Sequence, residues 1–230
     1  MCTITYIPTE SGYIVTQNRD ESPLREKAVF PVKETINKES IIFPKDPEGS
    51  GSWFVSAKHG LTICIMNAIY HPNKTSADFK HSRGLVPLHY LEYESNEQFI
   101  KDYDFKGIQG FTLVVCSQEN VNEIHWDENK VTHQSFSPAP LIFQSNPLYT
   151  AEQKAKRKLW FENWLDVNDS TKILEFHKAK KQENLAESIL MDRHFVRTIS
   201  ITQRAFLSNS DEIQYAEVEN LNNFKKIIIS

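Results

Sequence analysis

The sequence predicts an α+β protein, and three observations predict it. Runs of β-branched and aromatic residues return on themselves across turn-forming stretches, as in antiparallel hairpins. Two uninterrupted apolar runs, Leu61 to Met66 and Phe111 to Cys116, read as strands covered on both faces. Two helical groups then break up the strands, one from Leu85 to Asp102 and one from Ala151 to Leu190. Long antiparallel content with two helical insertions permits a layered α+β arrangement.

The first hairpin runs from Met1-Cys2-Thr3-Ile4-Thr5-Tyr6-Ile7 through a turn at Pro8 to Gly12. It returns through Tyr13-Ile14-Val15-Thr16-Gln17 to Asn18-Arg19-Asp20-Glu21. Ser22 to Glu26 is a Pro-containing exit. Val29 to Val32 and Ile41 to Phe43 are short extended pieces, and Lys45 to Gly51 is the clearest loop. Ser52 to Ala57 and Gly60 to Asn67 form a second hairpin around Lys58-His59-Gly60. Ala68 to Arg83 is a long polar loop with the makings of a lid.

Leu85, Leu88 and Leu91 give a helical stripe with Pro87 in the first turn, and Asn96 to Asp102 continues as a second short helix. After the Phe111 to Cys116 strand, Asn122 to Trp126 and Lys130 to Phe136 read as an antiparallel pair, followed by Leu141 to Gln144. Thr150 and Gln153 form a capping box at the head of a helix from Ala151 to about Asp166. Ala155, Leu159, Trp160 and Trp164 make its apolar face, and Lys154, Lys156, Arg157 and Lys158 read as a solvated charge run, with contact to an anionic group such as phosphate as the lesser alternative. Ser170 to Lys181 and Glu183 to Leu190 suggest one or two more helices. Ile199 to Ser208, Glu212 to Val218 and Phe224 to Ile229 finish the sheet.

The 230 residues, 40% apolar and 24% charged, suit one globular domain with a sizeable core. A net charge of −4 argues against a dedicated nucleic-acid binder. Three cysteines cannot complete a disulfide framework within one chain. Cys64 and Cys116 read as core strand positions, which fits a reducing, cytoplasmic setting. There is no basic stretch followed by an apolar one at the start of the chain, and the longest apolar runs, about six residues, fall far below the roughly 18–20 needed to span a bilayer. No zinc-type spacing, phosphate loop, dinucleotide fingerprint or serine elbow occurs, so neither a metal nor a cofactor is expected. His71 and His81 are weak ligand candidates on the long loop.

The first hairpin is where the sequence carries chemistry. Antiparallel pairing sets Cys2 beside Arg19 and Asp20. Removal of Met1, usual before a small residue, leaves Cys2 with a free α-amine of pKa roughly 7.7–8.0, able to act as a base near neutrality. Arg19 is expected to push the thiol toward thiolate. One residue then holds nucleophile and base together, with Asp20 orienting the amine. The plainer alternative is a small apolar residue at a strand start with a solvated strand end beside it.

Cys2 directly after Met1, with Asn18-Arg19-Asp20-Glu21 ending a second strand, resembles the NRDE family, also called TANGO2 (transport and Golgi organisation 2). Gly51-Ser52-Trp53-Phe54 resembles its Gly-Thr-Trp element, Leu61 to Asn67 its apolar strand ending in Asn, Ser82-Arg83-Gly84 its Arg-Gly step, and Ser145-Asn146 its Ser-Asn before a long helix. The family is similar in turn to N-terminal-nucleophile hydrolases, especially penicillin V acylases and conjugated bile salt hydrolases. The resemblance implies a single domain over residues 1–230, a four-layer αββα sandwich, and Cys2 on a central strand. It implies Asn67 and Asn146 as oxyanion donors, a role suited to neutral amides because the charge develops only in the transition state. Arg197 is the best match to an Arg that completes the site, although Phe195-Val196 replaces the family's Gly-Thr before it.

Two functions follow from the resemblance. One is a cysteine amidohydrolase or acyl transferase acting on a nonpeptide amide. The other is a non-catalytic protein that binds and moves haem, acyl-CoA or lipid, with haem as a possible ligand. Either partner is a small molecule, and the sequence leaves its identity and the oligomeric state open.

Overall fold

The computed structural model describes residues 2–71, 74–181 and 184–229. Met1, Pro72 of the long loop and Glu183 at the expected start of a late helix lie outside the described residues. The chain divides into two compact units, Met1–Arg25 with Pro138–Ser230 and Glu26–Ser137. The first unit opens with strands β1 (Cys2–Thr9) and β2 (Gly12–Glu21). The second unit contains β3 (Val29–Ile36), β4 (Glu39–Lys45), β5 (Phe54–Ala57), β6 (Leu61–Asn67), β7 (Phe111–Cys116), β8 (Val121–Trp126) and β9 (Val131–Phe136), with helices α1 (Val86–Tyr90) and α2 (Asn96–Asp102). The chain then returns to the first unit as β10 (Leu141–Gln144), α3 (Ala151–Val167), α4 (Ile173–His177), β11 (Arg197–Leu207), β12 (Ser210–Glu217) and β13 (Lys225–Ile228).

The sheet of the first unit is antiparallel throughout, in the order β10-β1-β2-β11-β12-β13. The expected hairpin forms its second and third strands, with β1 and β2 buried along most of their length. Strand alternation sends successive side chains to opposite faces. Ile7, Ile14, Ile142 and Ala205 meet Phe161, Ile173 and Phe176, so this is the face that α3 and α4 cover. By the same alternation, Thr3, Thr5, Asn18 and Asp20 share the helix-covered face. Cys2, Ile4, Tyr6, Gln17 and Arg19 point the other way. On that second face Tyr6 stacks on Tyr13 with centroids 5.3 Å apart.

The second unit is a seven-stranded antiparallel sheet in sequential order, β3 to β9. Its middle strands, β6 and β7, are the two continuous apolar runs, and Cys64 and Cys116 are buried there outside any disulfide. Two of the motifs that carried the family resemblance meet in this unit. The Ser52 amide donates to the Gly84 carbonyl at 2.8 Å. A Cβ on Gly51 would lie 2.2 Å from the Gly84 carbonyl carbon and oxygen, so only glycine permits the approach.

The helical expectations are met unevenly. α2 and the capping box of α3 form as expected, with the Gln153 amide donating to Thr150 Oγ1 at 3.2 Å and Gln153 Oε1 accepting from the Thr150 amide at 3.1 Å. The later helices shrink to the five residues of α4 and two short 3-10 turns. The expected face of α3 is buried only in part: Trp160 and Trp164 pack against the core cluster, but Ala155 and Leu159 do not. Leu159 is 57% exposed, while Phe161 and Arg157 are buried. Arg157 therefore leaves the solvated charge run, whereas Lys156 and Lys158 do pair on the surface with Glu152 and Glu162. Among the described residues no helix is long and apolar enough to cross a membrane.

Candidate functional site

The register of β1 and β2 sets Cys2 directly opposite Arg19. β11 flanks β2 on its other side, with Ser200 opposite Arg19 and Thr198 opposite Asp20, and the register shifts between them. The bulge leaves Ile199 without a partner on β2, so Thr198 and Ser200 serve the two neighbouring acidic and basic positions in turn. Cys2 and Arg19 lie on the same face of this sheet. Asp20 lies one residue along, on the face covered by the helices. The main-chain nitrogen of Cys2 belongs to neither face, so a carboxylate on one side and a guanidinium on the other can flank a single residue.

Each member is fixed by named contacts. Asp20 is fully buried; Thr198 Oγ1 donates to its Oδ1 at 2.7 Å and the Tyr149 hydroxyl donates to its Oδ2 at 3.5 Å. Burial raises the Asp20 pKa to about 6, against the opposing pull of the Thr198 hydrogen bond, the Arg157 charge and Tyr149. Cys2 is also buried, and burial pushes its thiol up. The Asp20 charge adds to that rise, while a hydrogen bond with Gln17 and the Arg19 charge oppose it. The expectation that Arg19 would make a resting thiolate is therefore corrected, because desolvation outweighs the guanidinium. Glu21, although burial opposes its ionisation, is held below the usual carboxylate range by the Ser22 amide at 2.9 Å and by Arg19 and Arg25.

Asn18, the first residue of the motif, is a structural tie. Its Nδ2 donates to the carbonyls of His177 and Ile189 at 3.1 and 2.9 Å, and its Oδ1 lies 2.7 Å from His177 Nδ1. With Asn18 Nδ2 spent on carbonyls, His177 Nδ1 carries the proton, and its bare Nε2 accepts from Thr5 Oγ1 at 2.7 Å. Burial lowers the His177 pKa to about 3, so the ring stays neutral.

The remaining candidates are placed as follows. Asn146 is exposed, and its Oδ1 accepts from Lys154 Nζ, which leaves the amide N–H groups as its donor end. The preceding Ser145 is buried, and its amide donates to the Cys2 carbonyl at 3.1 Å. Arg197 opens β11, exposed and opposite Glu21, with a backbone bridge to Asp192. Asn67 ends β6 in the second unit, half-buried and opposite Phe111. Cys2, Arg19 and Asp20 are thus brought together within the first unit, with Arg197 one pair further along β2.

Sequence reasoning missed Arg157, Tyr149 and Thr198. Arg157 was hidden by the lysines around it, yet it stands three and four residues before Trp160 and Phe161, the spacing of one helix face. Tyr149 and Thr198 carried no comparable pattern. Among the described residues no group of three or more His, Cys, Asp or Glu side chains is placed to hold a metal ion.

Solved structures of low sequence identity share this fold. The C2A mutant of conjugated bile acid hydrolase from Clostridium perfringens aligns at a TM-score of 0.60 with 11% identity, over 100% of this chain and 92% of that one. An Arg-to-Leu variant of the same hydrolase aligns at 0.61 with 10% identity, over 99% and 92%. The N-acylethanolamine-hydrolyzing acid amidase ortholog of Caenorhabditis elegans aligns at 0.53 with 10% identity over the whole of both chains. The α+β fold of the N-terminal-nucleophile hydrolases is therefore the fold of this chain. A search of curated proteins by sequence found no match. The profile of the Transport and Golgi organisation 2 family matches residues 1–229, and the chain belongs to that family.

Proposed function

We propose that the chain is a cysteine N-terminal-nucleophile amidohydrolase, or a related acyl transferase, acting on a nonpeptide C–N amide bond in the cytoplasm. The observation that carries the reading is Cys2 opposite Arg19, with the buried Asp20 beside them, in a hydrolase-like fold. After loss of Met1, the α-amine of Cys2 takes the thiol proton as sulfur attacks the amide carbonyl. A C–S bond forms, and the carbonyl oxygen becomes an oxyanion for which Asn146 is the candidate donor within the same unit as Cys2. The amine returns the proton to the leaving nitrogen as the C–N bond breaks. Water, or a second acceptor, then resolves the thioester. A thiol held protonated at rest by burial fits this scheme, since the base acts during attack and no standing thiolate is required. Ionised Asp20 stabilises the protonated amine, and Arg19 and Arg197 remain candidates for the thiolate or the substrate.

The test is the intact mass of protein made in cells, joined to assays of the wild type and Cys2→Ala on a panel of N-acyl amides. Loss of one methionine and loss of turnover in Cys2→Ala are expected. An active preparation that keeps Met1 overturns the mechanism, because an acylated nitrogen cannot serve as the base.

The family resemblance supports a second reading. There the chain binds haem, acyl-CoA or lipid without turnover, and Cys2 is a contact or a soft ligand. Haem titration separates the versions. A Soret shift lost in Cys2→Ala marks thiolate ligation, a shift that survives marks pocket binding, and no shift removes haem from consideration.

A further inference from the structure

Arg157 is a large cation with only 2% of its surface exposed, and the mechanism above does not use it. Its Nε donates to Gln144 Oε1 at 2.8 Å, one Nη to the Glu187 carbonyl at 2.9 Å and to the Ser188 carbonyl, and the other Nη to Thr3 Oγ1 at 2.6 Å. None of these acceptors is a carboxylate. A buried guanidinium with neutral acceptors keeps its charge available to act through space. Its nearest route to a negative group is short. The guanidinium carbon stands 4.1 Å from the centroid of the Tyr149 ring, and the hydroxyl of that ring donates to Asp20 Oδ2 at 3.5 Å. Thr3, which accepts from Arg157, also hydrogen-bonds the Tyr149 phenol. Donation runs from Arg157 to Thr3 and from Tyr149 to Asp20, with Thr3 hydrogen-bonded to the Tyr149 phenol between them. Thr3 follows Cys2 in the chain, so the same guanidinium ties down the strand that carries the sulfur.

We propose that Arg157, acting through Thr3 and Tyr149, is a positioning residue that keeps Asp20 ionised and anchors the start of β1 against α3. Its bearing on catalysis rests on the nucleophile reading given above; its hold on Asp20 does not. The groups facing this path are few. Asp20 meets Thr198, Tyr149 and the Arg157 charge from the helix-covered side, and Cys2 feels Asp20 from β1. Arg157 is faced by Tyr149, Glu187, His177 and Arg193, the last with its guanidinium carbon 5.2 Å from the Tyr149 ring. His177 is neutral, and Arg157 is the side-chain charge that lowers the Asp20 pKa.

The experiment uses the full chain carrying 13C in the aspartate side-chain carboxyl. The Asp20 signal, assigned by its loss in Asp20→Asn, is titrated in the wild type, R157K, R157M and Y149F. In R157M the Asp20 midpoint is expected to rise by about one pH unit or more, the scale of losing a nearby opposite charge. R157K should restore most of the difference, and Y149F should give a smaller rise. A merely structural Arg157 would lower thermal stability without moving the Asp20 midpoint. Unmoved midpoints in R157M and Y149F overturn the proposal. If R157M does not fold, Y149F decides alone, and an unmoved midpoint there overturns it. Intact mass keeps the two ideas apart: retained Met1 defeats the nucleophile reading, while the Asp20 midpoint is still expected to follow Arg157.

Discussion

Asp20 should be a destabilising residue at neutral pH, and replacing it by Asn should stabilise the chain in a pH-dependent way. Burial raises its pKa from 3.8 to about 6 in the folded state, so the native protein binds the proton more tightly than the unfolded chain does. The sign follows from linkage: stability is greatest below the unfolded pKa and falls as pH rises through the folded one. At about 1.4 kcal/mol per unit, the full loss is about 3 kcal/mol, of which about half develops between pH 5 and pH 8. Asn mimics the neutral acid and does not titrate, so Asp20→Asn should gain on the wild type by about 1.5 kcal/mol between those two pH values. Urea unfolding of both proteins at pH 5, 6, 7 and 8 reads this difference. A difference that stays flat, or that shrinks with rising pH, refutes the claim that Asp20 is held ionised against burial. Comparing the two proteins also cancels the opposite contribution of His177, which is the same in both.

Other outcomes follow from the same contacts. His177, with a folded pKa depressed to about 3, contributes stability that is present above the usual histidine pKa near 6.5 and is lost as pH falls toward 3, so urea midpoints of His177→Gln should vary less with pH over that window than those of the wild type. Asn18→Ala removes the tie from β2 to the His177 and Ile189 carbonyls and leaves buried acceptors unpaired; a loss of about 3 kcal/mol in urea unfolding is expected. Gly51→Ala should cost about 2 kcal/mol or more, because its Cβ meets the Gly84 carbonyl at 2.2 Å and backbone has to move; a melting temperature unchanged from the wild type would refute the close approach. Iodoacetamide should alkylate native Cys2 slowly at pH 7 and rapidly after unfolding, since burial protects the thiol and raises its pKa.

The first hairpin, the two inner strands of the second sheet and the head of α3 were legible because each rests on local pattern. Alternating β-branched residues around Pro8 to Gly12 set one register, and Thr150 with Gln153 set one helix start. The late helices were over-read, because Ser170 to Leu190 is polar enough to look helical yet is held by local side-chain hydrogen bonds such as those of Ser188 with Lys181 and Asn184. The site was legible for Cys2, Arg19 and Asp20, which share one hairpin. Thr198 stands 178 residues from Asp20 along the chain, and no local pattern announces a partner at that distance. Arg157 was misread because a helix with lysines on three sides looks solvated until the face bearing Phe161 is known to be the buried one.

The four-residue motif at the end of β2 divides into two sets once strand alternation is applied. Asn18 and Asp20 face the helices, where one ties down α4 and the other receives Thr198, Tyr149 and the charge of Arg157. Arg19 faces the other way with Cys2, in direct cross-strand register. Such an alternation lets one short strand do two things that a single face could not combine. The carboxylate is kept in a dry, hydrogen-bonded setting that makes its charge costly and therefore responsive, while the guanidinium stays with the sulfur. A one-residue slip in the β1–β2 register would put Cys2 opposite Asn18 or Asp20 and separate it from Arg19, so the register carries the chemistry. The anchor of β1 to α3 through Thr3 and Arg157 acts against that slip, because Thr3 reaches Arg157 only from the helix-covered face.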